Sequence, residues 1–347
     1  MGKDSAISWT DHTWNIWEGC TKVSPACEHC YAERDRDHRL RVVDWGPMGN
    51  RKMMSQATIN NPLKWDRECS GGTRRRVFTM SLGDFFEEWD GIVINHKKEQ
   101  VFIDPKGQIT TDISAGGRTL GLGDLRFKAF EIMEQTKNLD YLLLTKRPEN
   151  VMEMVPERWH DHWPAHVWMG VTVENQKYAD KRIPALMEIP AKIRFLSVEP
   201  LLRPVQLPWE SMSERMVRPL SSSLVEYVDV PKIHWVIVGG ESGDHARPSH
   251  PAWYRSVRDQ CIANKIPFHF KQHGEWLAID DFDFMIHDAK SPTMSLFPDG
   301  TDVDSIPREQ RRDYAPDTLP SLMYRVGTHK AGRTLDGVIW DEFPVAY

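Results

Sequence analysis

Short apolar runs that break off into charged residues recur along the chain. They are WNIWEGC (14–20), VFTMSLGD (77–84), YLLLTKRP (141–148), VWMGVTVEN (167–175), IRFLSVEPLL (193–202), WVIVGGESG (235–243) and IPFHFKQHG (266–274). Each lacks the strict alternation of a strand with one face in water. The pattern therefore predicts strands buried on both faces, as in a parallel sheet covered by helices. Helical patterns fall between them. In DLRFKAFEIMEQTKN, Leu125, Ala129, Ile132, Met133 and Thr136 share one face, with Asp124 expected as the N-cap. Ser249-His250-Pro251 opens a second helix, along which Trp253, Val257 and Cys261 recur every four residues.

The alternation of strand and helix predicts an α/β architecture, a modified or partial TIM-like (β/α) barrel over residues 1–274. Two insertions interrupt it. Residues 90–123 contain QVFIDPKGQITTDI, two runs about a Pro-Lys-Gly turn, which predicts an inserted β-hairpin. Residues 203–232 are rich in Pro and Ser and read as a long irregular connection. From residue 275 the periodicity changes, and 275–347 read as a C-terminal extension capping the barrel.

In such barrels the site lies at the C-terminal ends of the strands. On that rule Glu18-Gly19-Cys20, Asp84, Lys146-Arg147, Glu174-Asn175, Glu199, Glu241 and Lys271-Gln272-His273 face one mouth. Strands that simply end in solvent-facing polar residues would leave the same letters. Lys146 and Arg147 suit a carboxylate or phosphate of a substrate, or an ion pair with Glu174 or Glu199. Glu174 and Asn175 suit a ribose, and Asn175 equally suits a helix cap. Glu199 is read as a substrate or cofactor contact, and Gly239 and Gly240 allow a ligand close to the backbone. His269 and His273 could supply protons or be hydrogen-bonded in place. Cys261 reads as core packing. Near the C-terminus His329, Lys330 and Arg333 gather anion-binding groups.

Composition narrows the class. With 40% hydrophobic and 27% charged residues in 347, the chain is neither disordered, collagen-like nor a membrane bundle. Lys and Arg number 44 against 50 Asp and Glu, a net charge of −6 that excludes a uniformly basic coat. A local basic groove stays open through Arg34, Arg36, Arg39 and Arg41, and through Arg74-Arg75-Arg76; pairing with the surplus acids is the other reading. The first residues lack the apolar run of an export signal, and no stretch reaches the ~18 apolar residues of a membrane span. A cytoplasmic protein is expected.

Three of the five cysteines form C-x6-C-x2-C at Cys20, Cys27 and Cys30, followed at once by Tyr31. In a chain without an export signal such a cluster reads as a metal or redox site. Three thiolates suit a [4Fe–4S] cluster with one iron left open. Zinc would need a fourth ligand from His29, His38, Cys69 or Cys261. Three unrelated buried thiols are the remaining reading.

A three-cysteine cluster after the first strand of a (β/α) barrel resembles the radical S-adenosylmethionine superfamily. The set GCTKVSPACEHCYAER, FTMSLGDFF, LLLTKRPEN, WMGVTVEN, RFLSVEPLL, VIVGGESG, FHFKQHGEW and HKAGRTLDGVIWDEFP is similar, along nearly the whole chain, to a phage-associated three-cysteine family of radical-SAM-like proteins. The resemblance implies that Cys20, Cys27 and Cys30 hold three irons while the fourth binds S-adenosylmethionine. It implies reductive cleavage to a 5′-deoxyadenosyl radical, which abstracts hydrogen from a substrate. Tyr31 takes the place of the aromatic residue near the adenine. The superfamily's Gly-Gly-Glu after the second strand is replaced here by Ser81-Leu82-Gly83-Asp84, which makes Asp84 the candidate for gripping the ammonium group; a literal Gly239-Gly240-Glu241 occurs on a later strand. The implied partners are a flavodoxin-like electron donor and a nucleotide or a base in DNA. The alternative class is a zinc-stabilised nucleic-acid-binding protein without redox chemistry.

Overall fold

The computed structural model describes residues 3–69, 71–219, 225–279, 292–307 and 319–344. The chain divides into two compact units, Met1–Val171 with Glu188–Ile193, and Thr172–Met187 with Arg194–Tyr347. The architecture is mixed α/β with seven parallel strands, compatible with a partial barrel. No described helix is long and apolar enough to cross a membrane.

In the first unit the parallel strands are β1 (His12–Trp14), β2 (Arg75–Thr79), β3 (Leu139–Thr145) and β4 (Val167–Thr172). Each pairs with the strand that precedes it in the chain. The second unit repeats that rule with β5 (Arg194–Val198), β6 (Trp235–Gly239) and β7 (Phe268–Gln272). Sequential neighbours are the order of a (β/α) barrel; a doubly wound sheet reverses direction at a switch point. All six residues of β4 and all five of β6 are buried, which is why their sequences do not alternate.

The covering helices follow their apolar stripes. Helix α1 (Leu122–Gln135) buries Leu125, Ala129, Ile132 and Met133. Phe130 of α1 meets Phe85 and Trp159 edge-on, at 5.3 and 4.8 Å between centroids. Asp124 is not its N-cap. Gly121 holds that position, and the Asp124 carboxylate sits one turn in, accepting the Gly121 N–H at 3.0 Å. Helix α2 (Gln176–Met187) belongs to the second unit. Helix α3 (Pro251–Ala263) starts as expected: His250 caps it by accepting from the Ala252 N–H at 3.1 Å, and Trp253, Val257 and Cys261 are buried.

Three expectations need correction. The first strand does not run 14–20. The chain leaves the parallel sheet after Trp14, and Trp17–Glu18 instead pairs antiparallel with Arg51–Met53. The insertion within 90–123 holds the expected hairpin, Phe102–Ile103 with Ile109–Thr110 about the Pro-Lys-Gly turn, but adds a third antiparallel strand, Arg118–Thr119, on its other side. Residues 203–232 are not irregular throughout, since Ser213–Pro219 pairs antiparallel with Val225–Pro231. The run VEYVDV carries the β-branched and aromatic residues that favour extended backbone, which the Pro and Ser content of the segment obscured. The described parts of the C-terminal extension hold another antiparallel set, Trp276–Ala278, Thr293–Leu296 and Ser321–Arg325.

Candidate metal centre

The cysteine-bearing segment leaves Trp17–Glu18 through Gly19, whose φ of +108° is open mainly to glycine. A β-carbon there would also sit 2.9 Å from the Asn50 carbonyl. The Gly19 N–H donates to the Leu82 carbonyl at 3.0 Å, which ties the segment to the loop following β2. The same loop is held from two other directions. Asn15 accepts the Leu82 N–H at 2.9 Å, and the Tyr31 hydroxyl donates to the Ser81 carbonyl at 2.7 Å. Cys27 ends a 3-10 turn begun by Pro25, and Cys30 is the N-cap of the short helix Tyr31–Glu33.

The three cysteines thus lie on one short segment fastened to the loop after β2. Burial, with Glu87 and Asp84 nearby, pushes the Cys20 thiol up; the Arg147 charge opposes them and the field of Cys27 adds to them. Burial also raises Cys30, against backbone N–H donors and the Lys146 charge, and Cys27 acts on it too. Among the described residues no three His, Cys, Asp or Glu side chains are grouped closely enough to hold a metal ion. The donors nonetheless fit the implied cluster in kind and number: three soft thiolates on one short segment, with a cation against one of them.

That cation is Arg147. One nitrogen lies 3.7 Å from the Cys20 sulfur and donates to Asp84 at 2.9 Å; the other donates to the Thr21 carbonyl at 2.7 Å and lies 3.5 Å from Glu87. Asp84 accepts from the Thr145 hydroxyl at 2.6 Å and from the N–H groups of Lys146 and Phe86 at 3.0 and 3.1 Å. Burial alone would raise the Asp84 carboxyl. The Arg147 charge and these donors outweigh it and hold the group below the ordinary carboxylate value. Arg147 is shifted up, because Asp84, Cys20 and Glu87 together outweigh its burial.

Behind this pair lies a second one that the sequence did not disclose. Arg51 and Glu87 are wholly buried and joined by two hydrogen bonds of 2.8 and 2.9 Å. Arg51 also donates to the Thr21 hydroxyl and lies over the Trp89 ring at 4.5 Å. Arg126 of α1 fixes the backbone of the same loop by donating to the Phe85 and Glu87 carbonyls; its burial pushes it down to about 10. Two arginines and two carboxylates make a nearly balanced network around Cys20.

Of the predicted site residues, the first unit brings together Cys20, Cys27, Cys30, Tyr31, Asp84, Lys146 and Arg147. Arg147 pairs with Asp84 and Glu87. In the second unit Glu199 accepts from Lys271, and a β-carbon at Gly239 would come within 3.2 Å of the Glu199 side chain. The other candidates take local partners. Glu174 pairs with Arg182 at 2.7 Å, both fully buried. Asn175 caps α2 by accepting from the Tyr178 N–H. Glu241 binds Arg247 through both oxygens. His273 contacts the Thr334 carbonyl, Arg333 pairs with Asp341, and a β-carbon on Gly240 would strike the His273 carbonyl.

One family pattern covers residues 4–102 and 123–344, that of a family described as protein of unknown function, DUF5131. The chain belongs to that family. No curated protein and no solved structure matches it. The DUF5131 pattern includes every cysteine, Asp84, Arg147 and the Arg51–Glu87 pair. The gap between its two segments, residues 103–122, falls on the antiparallel insertion.

The basic runs are largely neutralised by acids. Arg74 is bound to Asp140 at 2.6 Å and to the carbonyls of Lys137 and Leu139, Arg76 reaches Asp11, and Arg36 binds Glu18. Arg75 differs, with a half-exposed side chain and only a 3.8 Å contact to Asp11. If duplex DNA is bound through this face, Arg75→Ala should flatten the log–log salt dependence by about 0.9 unit, the share of one phosphate. Arg74→Ala should leave the slope unchanged. Equal slopes for Arg75→Ala and the unaltered protein would remove this face from the DNA contact.

Proposed function

We propose that this protein is a radical S-adenosylmethionine-type enzyme, with Cys20, Cys27 and Cys30 holding a [4Fe–4S] cluster at the C-terminal side of the first strands of a partial, TIM-like barrel. The observation that carries the reading is the fastening of the C-x6-C-x2-C segment to the strand-end loop that bears Asp84, with the Arg147 guanidinium 3.7 Å from the Cys20 sulfur. When bound, the cluster supplies one electron to the sulfonium of S-adenosylmethionine, giving methionine and a 5′-deoxyadenosyl radical that takes hydrogen from the substrate.

The chain's own residues do the rest. Gly19, Asn15 and Tyr31 fasten the cysteine segment and the loop after β2 to each other. Tyr31, half-exposed beside that loop, offers an aromatic face where an adenine would stack. Asp84 fixes the guanidinium of Arg147 against Cys20. The buried Arg51–Glu87 pair braces the residue after Cys20, since Arg51 also donates to the Thr21 hydroxyl. The proposed substrate is a nucleotide or a base in DNA, with a flavodoxin-like electron donor in the cytoplasm.

The test is anaerobic reconstitution with iron and sulfide, followed by incubation with dithionite and S-adenosylmethionine. The expected result is a brown protein with about four irons, the complement of one such cluster, that forms 5′-deoxyadenosine. Colourless protein carrying one zinc would sink the reading and favour the zinc-stabilised nucleic-acid-binding class.

A further inference from the structure

The three sulfurs are not equivalent. Cys30 is approached by N–H groups of its own helix, and Cys27 by the Ser24 hydroxyl at 4.0 Å. Cys20 alone among them has a guanidinium donating to it, with N–H to sulfur at 3.7 Å. That guanidinium comes from a different strand end, 127 residues along the chain, and it is rigidly held. Asp84 and Thr21 each take a hydrogen bond from it, Glu87 lies 3.5 Å away, and the side chain is 10% exposed. Asp84 in turn has Thr145, Lys146 and Phe86 fixing its position. A side chain locked by this many partners cannot swing away from the sulfur without breaking a buried ion pair.

Resting on the proposed cluster, we propose that Arg147 is a positioning residue for Cys20 that makes the centre easier to reduce. Its charge lies against a thiolate that is more electron-rich in the reduced centre than in the oxidised one. A fixed cation therefore favours the reduced form, and does so strongly where water is excluded. The step is one electron from an external reductant into the cluster, with no bond or proton moved. Asp84 and Glu87 aim the cation, and Arg51 balances Glu87 so that Arg147 is not fully neutralised.

The experiment is an EPR-monitored redox titration of the reconstituted full-length protein with dithionite. Arg147→Met is expected to shift the reduction equilibrium about tenfold toward the oxidised form, a potential about 59 mV more negative for one electron. Arg147→Lys, which keeps the charge, should recover most of the shift. Arg147→Gln, which loses the charge but can still donate to Asp84 and the Thr21 carbonyl, should give a shift of the same sign and serves if Arg147→Met does not fold. Arg126→Met is the control, because Arg126 is buried in the same region but bonds only to carbonyls. An unchanged potential in Arg147→Met, or in Arg147→Gln where that variant stands in for it, would overturn the inference. So would an equal shift in Arg126→Met.

A second readout separates this inference from the parent reading. Cobalt added to metal-free protein reports sulfur ligation by its charge-transfer absorption. Three thiolates around one divalent ion leave a net negative centre, so Arg147→Met should weaken cobalt binding about tenfold, the effect of losing one charge-assisted contact. If the unaltered protein assembles no iron–sulfur cluster yet shows this cobalt difference, the enzyme reading fails and the placement of Arg147 stands. If neither metal responds to Arg147, the placement fails.

Discussion

Alanine at any one of Cys20, Cys27 or Cys30 is expected to abolish the broad visible absorption of the reconstituted protein and most of its bound iron. In the proposed cluster each thiolate would hold one iron, which leaves no spare sulfur among the three. The remaining two cysteines provide the controls. Cys69 and Cys261 are both buried, and Cys261 packs on the inner face of α3, where burial raises its thiol and the Glu342 charge adds to it. Cys261 lies outside the C-x6-C-x2-C segment, on the apolar face that α3 shares with Trp253 and Val257. Cys261→Ala should keep full iron content and cost about 1 kcal/mol of stability, the ordinary size for a point substitution. Iron and sulfide analysis of the purified variants decides it. Loss of iron from Cys261→Ala equal to that from Cys20→Ala would overturn the three-ligand assignment.

The largest effect on stability is expected from Glu87→Ala. It removes the carboxylate that faces Arg51 and adjoins Arg147, leaving a guanidinium with no exposure to water and no compensating charge. Breaking a buried pair from one side costs about 3–5 kcal/mol. Glu88→Ala, at the next position but exposed, should stay within about 0.5 kcal/mol of the unaltered protein. Replacing Arg51 and Glu87 together by apolar residues of similar volume should recover most of the loss, since neither charge then lacks a partner. Urea unfolding with an unchanged m-value reads these differences as midpoint shifts. Equal midpoints for Glu87→Ala and Glu88→Ala would show that the pair contributes nothing.

The parallel strands were legible because strands enclosed on both faces leave continuous apolar runs, and chain separation of partners does not blur that signal. Cys20, Asp84 and Arg147 could likewise be gathered from the rule that barrel sites lie at strand ends. The first strand was misplaced because Trp17 and Glu18 prolong the apolar run after the chain has turned. The turn is enforced by Asn15, whose amide bonds to Ser81 and Leu82, some sixty residues away. No local pattern records such a contact. Arg51 and Glu87 were invisible for the same reason. Nothing in FFEEWD distinguishes the glutamate that is enclosed from the one in water, and only the tertiary placement of Arg51 does so. The Asn175 cap was foreseen as one of two roles, and local backbone geometry was enough to find it.

The antiparallel insert ahead of α1 has a stem that closes on itself. The Leu120 N–H donates to the Val101 carbonyl at 3.1 Å, so the two points where the insert joins the unit stand one hydrogen bond apart. Everything between them returns to where it started. A segment with zero net displacement can lengthen, shorten or be exchanged without altering the span the rest of the chain must bridge. Variation in length therefore has a natural outlet here, while the surrounding frame keeps its register.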